Sequence, residues 1–521
     1  MSYWSLYFLV KTGLFYSHYI GFNWGLNLLL ALLIAWPLAP GRWQRARRVA
    51  VWPAALALLY HDSFLPTPER VLSQLGTLGG FSGEYMLELL GRLINPVALA
   101  GLVALVVLHL LLARWLRLST FAFMGILSVP LLTGTGAFSS LVTAPLNSTA
   151  GVDTEKTAPV SRTAASPESE LQAFYAAERQ RRLVFPRNVS PPPFDVIVLH
   201  VCSLSWDDLD FVNERNAPLL KRFDVLFGNF NSAASYSGPA SIRALHGNCG
   251  QSPHTALYKG ADPQCYTFPA LEQAGYQANA LLNHNGIFDS FSKILEVEGG
   301  LVGKLQPNKE APVQMQSFDG SPIYDDFALL SNWWSKRQTR GAAPVALYYN
   351  SISLHDGNRV TGQSARNSLV TYKPRLIKLM ADFDRFLSQL EASGKPVVVM
   401  LVPEHGASLR GDRVQMSGMR EIPDPKITLV PAAIKLVGMK SAASGPLMVN
   451  QPVSYFGLYS LLGNMLANNP FAPGAKPLAQ RLDAIPTTAF VAENADVVVI
   501  RNAANAYLMK SADGTWVPYQ N

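Results

Sequence analysis

Pro396–Gly406 reads PVVVMLVPEHG, an apolar run rich in β-branched residues that ends in Pro, Glu, His and Gly. Such a run is apolar on both faces, as a strand must be in a parallel sheet covered by helices on each side. Just before it, Lys373–Ser393 carries Leu376, Leu379, Met380, Phe383, Phe386, Leu387 and Leu390 at helical spacing, and Gly394 supplies the stop. Val345–Ser351 (VALYYNS) is another core strand. The order strand, helix, strand predicts the βαβ unit of a doubly wound sheet. Further out, Phe194–Cys202 (FDVIVLHVC) follows three prolines and predicts a buried parallel strand, with a fainter one at Tyr276–Leu282 (YQANALL). The tail (ADVVVIR, AYLMK, TWVPY) predicts a small antiparallel meander.

The chain before this domain has a different character. Of 521 residues 49% are hydrophobic and 15% charged, against about 25% charged in soluble domains. That excludes a disordered chain and argues against an ordinary cytosolic enzyme. The apolar excess lies before about residue 143. Gly21–Pro40, Val49–Leu65, Pro96–Ala113 and Leu118–Val142 predict membrane spans. Residues 1–20, with Lys11 and His18, are a fifth span or an interfacial helix. No small-residue cleavage site follows them, so no removable signal peptide is expected. Gly41–Arg48 and Arg114–Arg117 hold six Arg and no acid, which predicts cytoplasmic loops. The stretch from His61 to Asn95 carries Asp62, Glu69, Glu84 and Glu88 against Arg70 and Arg92 and faces outward. Everything after the last span is then extracytoplasmic. Phe81–Leu93 is amphipathic and is expected at the membrane interface. The net charge of +7 is read as topology, since no aromatic-interleaved basic patch points to nucleic acid.

Three units follow: a transmembrane anchor of four or five helices (1–142), a Ser/Thr/Ala/Pro-rich tether (143–193), and a catalytic domain (194–521). Within the tether, Ser166-Pro167-Glu168 starts a short helix. All three cysteines lie beyond the anchor. Cys249 and Cys265 are 16 residues apart in a loop-rich stretch; a disulfide there would contribute about 3 kcal/mol by loop entropy, with two free thiols as the alternative. Cys202 is left over and needs a separate explanation.

In doubly wound sheets ligands gather at the carboxyl ends of the strands. The polar residues there are Cys202, His284 with its neighbours Asn283 and Asn285, His355 with Asp356, and Glu404 with His405. Glu404 and His405 can reach one cation if the backbone turns at Gly406; a solvated Glu beside a surface His is the alternative. Ser237, in SYSGPASIRALHG, opens a predicted helix. It is either a helix N-cap or a nucleophile that exploits the positive helix terminus. Cys202 is either a buried apolar-type cysteine or a thiolate ligand. Alkoxide, thiolate, carboxylate and imidazole around one ion suit Zn²⁺ better than Mg²⁺ or Ca²⁺.

A strand-end ligand, a hydroxyl at a helix start and an acid-His-Gly after a late strand resemble the alkaline phosphatase/sulfatase superfamily and, within it, the membrane-anchored phosphoethanolamine transferases. More narrowly, CSLSWDD, NSAASYSGPASIR, HGNCGQ, FDGSPIYDD, LHDGNR and PEHGASLRGDRVQMSGMREIP resemble the BcsG family of cellulose phosphoethanolamine transferases across nearly the whole chain. The resemblance implies an alkaline-phosphatase-like α/β domain with a mostly parallel sheet between helices. It implies a zinc held by Cys202, Ser237, Glu404 and His405, with Ser237 as nucleophile. His355 is then the acid/base and Arg420 the phosphate-stabilising residue, with Tyr236 beside them and His284 in substrate binding. It also implies a Cys249–Cys265 disulfide, a bacterial inner-membrane anchor and a periplasmic catalytic domain.

The implied donor is phosphatidylethanolamine, the implied acceptor the glucose C6 hydroxyls of nascent cellulose, and the implied partners the other cellulose synthase subunits. A transferase of phosphoethanolamine or glycerol phosphate acting on another envelope glycan, and a scaffold subunit, are the alternatives. A sulfatase is disfavoured, because Ser237 and Pro239 match its signature but Ser241 stands where that signature needs Arg, which comes only at Arg243.

Overall fold

The structure, a computed structural model, describes residues 2–17, 19–63, 79–93, 96–134, 166–187, 194–339, 341, 343–362, 367–439, 445–511 and 514–519. The chain forms two compact units. One is Met1–Pro66 with Leu90–Ala164; the other is Thr67–Leu89 with Ala165–Asn521.

The second unit is built on a seven-stranded sheet: β1 (Asp195–Val201), β2 (Val225–Phe227), β3 (Gln277–Leu282), β4 (Val345–Ser351), β5 (Val397–Pro403), β6 (Ala433–Val437) and β7 (Leu447–Val449), in spatial order β7-β2-β6-β5-β1-β4-β3. All neighbours are parallel except β6, which runs against β5 and β2. β1 lies between β4 and β5, so the helix Tyr372–Ala392 that joins them crosses over it. Alternate residues of each central strand feed two separate cores. Val196, Val198, Val398 and Met400 pack on one face; Ile197, Leu199, Val397 and Val399 pack on the other, with Leu376, Leu379 and Phe383 of the crossover helix. The continuous apolar runs are therefore needed, because both faces are buried. The helix Ser237–Leu245 contributes Ala244 and Leu245 to the first core. A four-stranded antiparallel sheet closes the C-terminus, Val491–Glu493 through Trp516–Pro518. The tether helix is Pro167–Glu178, capped by Ser166.

The first unit contains the helices Ser2–Tyr16, Trp24–Ala35, Arg42–Asp62, Pro96–Leu112 and Leu118–Gly134. Among the described residues no helix is long and apolar enough to cross a membrane. The predicted span Gly21–Pro40 is helical over 12 residues, while Pro96–Leu112 and Leu118–Gly134 reach 17 each. Residues 135–142 of the last predicted span lie outside the described residues. The basic stretch expected as a loop, Gly41–Arg48, is instead the first two turns of Arg42–Asp62. Arg is a good helix former and the following apolar turns extend the same helix. Lys11 is buried against Asp62 at 2.8 Å and donates to Asn27 Oδ1 (3.0 Å) and the Leu58 carbonyl (3.1 Å). A charge that looked unsuited to an apolar helix is thus paired between helices.

Candidate active site

The site lies at the carboxyl end of the central strands. The register sets His200 of β1 opposite Asn350 of β4 and Val402 of β5, so the residues just beyond β1 and β5 emerge at one level. Cys202 follows β1, and Glu404 and His405 follow β5; all three are fully buried. Their ligand atoms lie within 4.8 Å of one another. Ser203, directly after Cys202, has a positive φ of 65°. Backbone strain of this kind in a non-glycine residue is characteristic of functional turns.

Ser237 joins this group from the other side. It is the first residue of its helix, and Tyr236 is the cap. Its Oγ lies 3.4 Å from His405 Nε2 and 3.5 Å from Cys202 Sγ. Of the two readings of this serine, the N-cap is thereby corrected: the hydroxyl is turned into the cluster.

The donor set fits a soft divalent cation. His405 donates from Nδ1 to the Gly406 carbonyl (2.9 Å), so its Nε2 presents a lone pair. Glu404 Oε2 faces that lone pair at 3.7 Å and is buried with no hydrogen-bond partner among the described residues. Two buried acceptors face each other, and a cation between them resolves the arrangement. Burial pushes the Cys202 thiol up to about 12, with Glu404 adding to the shift. Burial likewise raises Glu404 to about 7, although Ser237 and Asn350 beside it hold it back. His405 is held well below its ordinary value by burial and then by Arg420. The sulfur, nitrogen and oxygen donors of the group match those of zinc sites.

His355, Arg420, Tyr236 and Ser237 are only half-buried, so they form the accessible side of the cluster. Arg420 Nη1 lies 3.2 Å from His405 Nδ1 and donates to Ser203 Oγ at 3.3 Å. Its guanidinium stacks over the Tyr236 ring, 5.6 Å from the centroid, and the Tyr236 hydroxyl donates to Glu421 Oε1 (2.5 Å). His355 donates from Nδ1 to the Asp356 carbonyl (2.6 Å), leaving Nε2 as the proton-accepting atom. Burial and then Arg420 lower its pKa to about 4, so it is the neutral, basic form at pH 7. His284 sits deeper. Its Nε2 donates to Asn350 Oδ1 (3.0 Å) and its Nδ1 accepts from the Gly286 amide (3.2 Å). Asn350 in turn donates to Glu404 Oε1 (2.5 Å), so His284 stands behind a ligand through one intermediary. Cys249 and Cys265 are disulfide-bonded.

Residues 150–516 match the cellulose biosynthesis protein BcsG C-terminal domain, and residues 4–131 match the BcsG N-terminal domain. The chain belongs to the BcsG family. The BcsG protein of Salmonella typhimurium (strain LT2) is 38% identical over 100% of this chain and 96% of its own length. That of Escherichia coli (strain K12) is 37% identical over the same shares. Among solved structures, lipooligosaccharide phosphoethanolamine transferase A from Neisseria meningitidis, an integral membrane protein, is 14% identical. It covers 85% of this chain and 96% of its own, with a TM-score of 0.42.

Several residues of this BcsG-family site escape sequence reading. Asn350 and His200 are polar residues inside otherwise apolar buried strands, and that interruption was the available signal. His200 Nδ1 lies 2.8 Å from the Tyr348 hydroxyl, which donates to Ser241 Oγ (3.2 Å) and ties the helix Ser237–Leu245 to the sheet. Asp208, in the CSLSWDD motif, caps its own helix with Ser205 and also accepts the Ala407 amide (2.7 Å), fixing the loop beyond His405. Gly406 is required for space, not for a left-handed turn. A Cβ there would stand 2.5 Å from Ser205 Oγ and 2.8 Å from Asp208 Oδ2.

Proposed function

We propose that the chain is a zinc-dependent phosphoethanolamine transferase that moves phosphoethanolamine from phosphatidylethanolamine to glucose C6 hydroxyls of nascent bacterial cellulose. The observation that carries this reading is the Ser237 Oγ, turned toward Cys202 and His405 at 3.5 and 3.4 Å. Cys202, Glu404, His405 and Ser237 would hold the metal. Bound there, zinc supplies the positive charge that favours the ionised serine and the crowded phosphoryl oxygens.

Ser237 Oγ gives up its proton and forms a bond to phosphorus as the bond to the diacylglycerol oxygen breaks, and His355 Nε2 relays that proton to the departing alcohol. Arg420, fixed over Tyr236 and against Ser203, presents a permanent cation to the phosphoryl group. His355 Nε2 accepts the proton of the sugar hydroxyl, which attacks phosphorus and releases Ser237. His284 acts through Asn350 by holding Glu404 in place.

The first unit is proposed as a multi-pass inner-membrane anchor that keeps the catalytic unit in the periplasm. Its match to the BcsG N-terminal domain supports this. So does Pro96–Leu112, which exposes Leu102, Val103, Leu105, Val106 and Leu108 on all sides. The family description, cellulose biosynthesis, supports the acceptor and an association with cellulose synthase subunits. The test is release of diacylglycerol from phosphatidylethanolamine nanodiscs by the full-length protein, with and without a cello-oligosaccharide. Release beyond one diacylglycerol per protein is expected only with the sugar, with phosphoethanolamine recovered on it. Repeated turnover that ignores the sugar would contradict the assigned acceptor.

A further inference from the structure

The stretch Thr67–Leu89 lies, in sequence, between helices of the first unit, yet it belongs to the catalytic unit. Its described part, residues 79–89, is packed against the loop that carries His355. The Ser82 amide donates to the Phe318 carbonyl (2.8 Å), and the Phe81 ring meets Phe318 edge-on, centroids 5.6 Å apart. Phe318 in turn lies over the His355 imidazole at 4.6 Å and 32°, so the ring that sets the imidazole plane is held from behind by this stretch.

The loop itself is held at two further points. The Tyr85 hydroxyl donates to Asp356 Oδ2 (3.1 Å), next to His355. Gly357 has a φ of 80°, and a Cβ there would stand 2.8 Å from the Tyr85 ring, so the loop backbone and that ring are in direct apposition. Glu88 is buried and accepts the Ser368 amide (2.8 Å) while pairing with Arg359. Ser368 Oγ lies 2.5 Å from Asp356 Oδ1, which closes a circuit from Glu88 back to Asp356. The fully enclosed Arg375 completes it, donating to the carbonyls of Ser353 (2.8 Å), His355 (2.9 Å) and Ser368 (3.1 Å). By contrast Leu87, on the same helix, is 71% exposed.

We propose that Tyr85 and Glu88 are positioning residues for His355, so that a segment encoded 270 residues upstream completes the wall of the catalytic site. The inference rests on the reading of His355 as the proton-transferring group. Its consequence is that a catalytic domain cut free of the N-terminal half folds its sheet but leaves the His355 loop without the ties that Tyr85 and Glu88 supply.

The test uses the full-length protein in phosphatidylethanolamine nanodiscs, comparing wild type with Glu88→Ala, Glu88→Gln, Tyr85→Phe and the exposed control Leu87→Ser. Two readings are taken on each: amide exchange of the peptide covering 352–362, and kcat and KM for transfer. Glu88→Ala is expected to raise exchange in that peptide alone and to lower kcat about 10- to 100-fold, the scale on which slight misplacement of a reacting group acts. KM and metal content stay unchanged. Glu88→Gln, which keeps the acceptor for the Ser368 amide, loses less, and Leu87→Ser, which touches none of these ties, matches wild type in the exchange of that peptide. Unchanged exchange in 352–362, or a rise spread across the whole catalytic unit, would overturn the proposal, as would an unaltered kcat. If Glu88→Ala fails to fold, Tyr85→Phe and Glu88→Gln decide the question by the same two readings. Inactive wild type would defeat the transferase reading, and the exchange data would still decide whether the segment holds the loop.

Discussion

Among single residues, Cys202, Glu404 and His405 form a buried set of donor atoms. Cys202→Ala removes one donor and leaves Glu404 and His405 facing each other at 3.7 Å. The purified protein is expected to lose most of its zinc by elemental analysis, with the fold retained by circular dichroism. Zinc retained at the wild-type level would remove Cys202 from the ligand set. Gly406→Ala is a sharper probe of geometry. Its new methyl would meet Ser205 and Asp208 at 2.5 and 2.8 Å, displacing the loop that follows both ligands. Overpacking of this sort costs about 1–3 kcal/mol, so the melting temperature should fall and transfer activity should fall further than stability alone explains.

At this scale the sequence was most informative where the chemistry was local. Cys202, Glu404 and His405 were legible because each directly follows a strand, and strand ends are where such sheets bind ligands. Ser237 could be identified but not decided, because a helix-start serine has an ordinary capping role until its hydroxyl direction is seen. Asn350, His200 and Asp208 escape a reading of the sequence because their partners lie 54 to 204 residues away in the chain. No spacing rule reports that.

At the scale of elements, the sheet is anchored at its amino-terminal edge by a buried pair. Asp195 accepts from Arg337 through two bonds (3.0 and 3.1 Å) and also accepts the Val345 amide (2.8 Å), joining β1, β4 and the helix Asp326–Thr339. Removing one partner strands the other charge in the interior, which costs about 3–5 kcal/mol. Arg337→Met should lower the urea midpoint accordingly while leaving zinc content unchanged, and a shift within error would show that the pair is redundant. The strands β1, β4 and β5 are readable as continuous apolar runs, β3 more faintly, and the crossover helix from its periodicity. The short β2, β6 and β7 were not, since strands of three to five residues leave too little pattern. The basic stretch after Gly41 was misread as a loop because charge reports topology, not backbone conformation.

At the scale of the whole molecule, the C-terminal tail is fastened by Tyr519, whose hydroxyl lies between Asp412 and Asp424. Burial, and then the charge of Asp412, raises Asp424 to about 7 from its ordinary 3.8. Its folded pKa exceeds its unfolded one, so folding takes up a proton in this window. The stability it contributes is full below about pH 4 and is lost as pH rises toward about 7. Asp424→Asn cannot lose a proton there. The variant should therefore gain on wild type in urea midpoint as pH rises from about 4 to 7, whereas a constant difference would mean that Asp424 is ionised throughout. The docking of residues 79–89 onto the catalytic unit was equally invisible in the sequence, where that stretch reads only as amphipathic. Which surface an amphipathic helix covers is a tertiary fact: Tyr85 and Glu88 face the catalytic unit, and Leu87 does not.

The central claim is that Ser237 carries the phosphoethanolamine group covalently between donor and acceptor. The most direct measurement is the intact mass of the full-length, zinc-loaded protein after incubation with phosphatidylethanolamine and no sugar, wild type beside Ser237→Ala. A mass increase of one phosphoethanolamine group is expected on wild type, mapped to Ser237 by peptide sequencing and absent from the variant. An unmodified wild type, or an adduct that persists in Ser237→Ala, would contradict the claim.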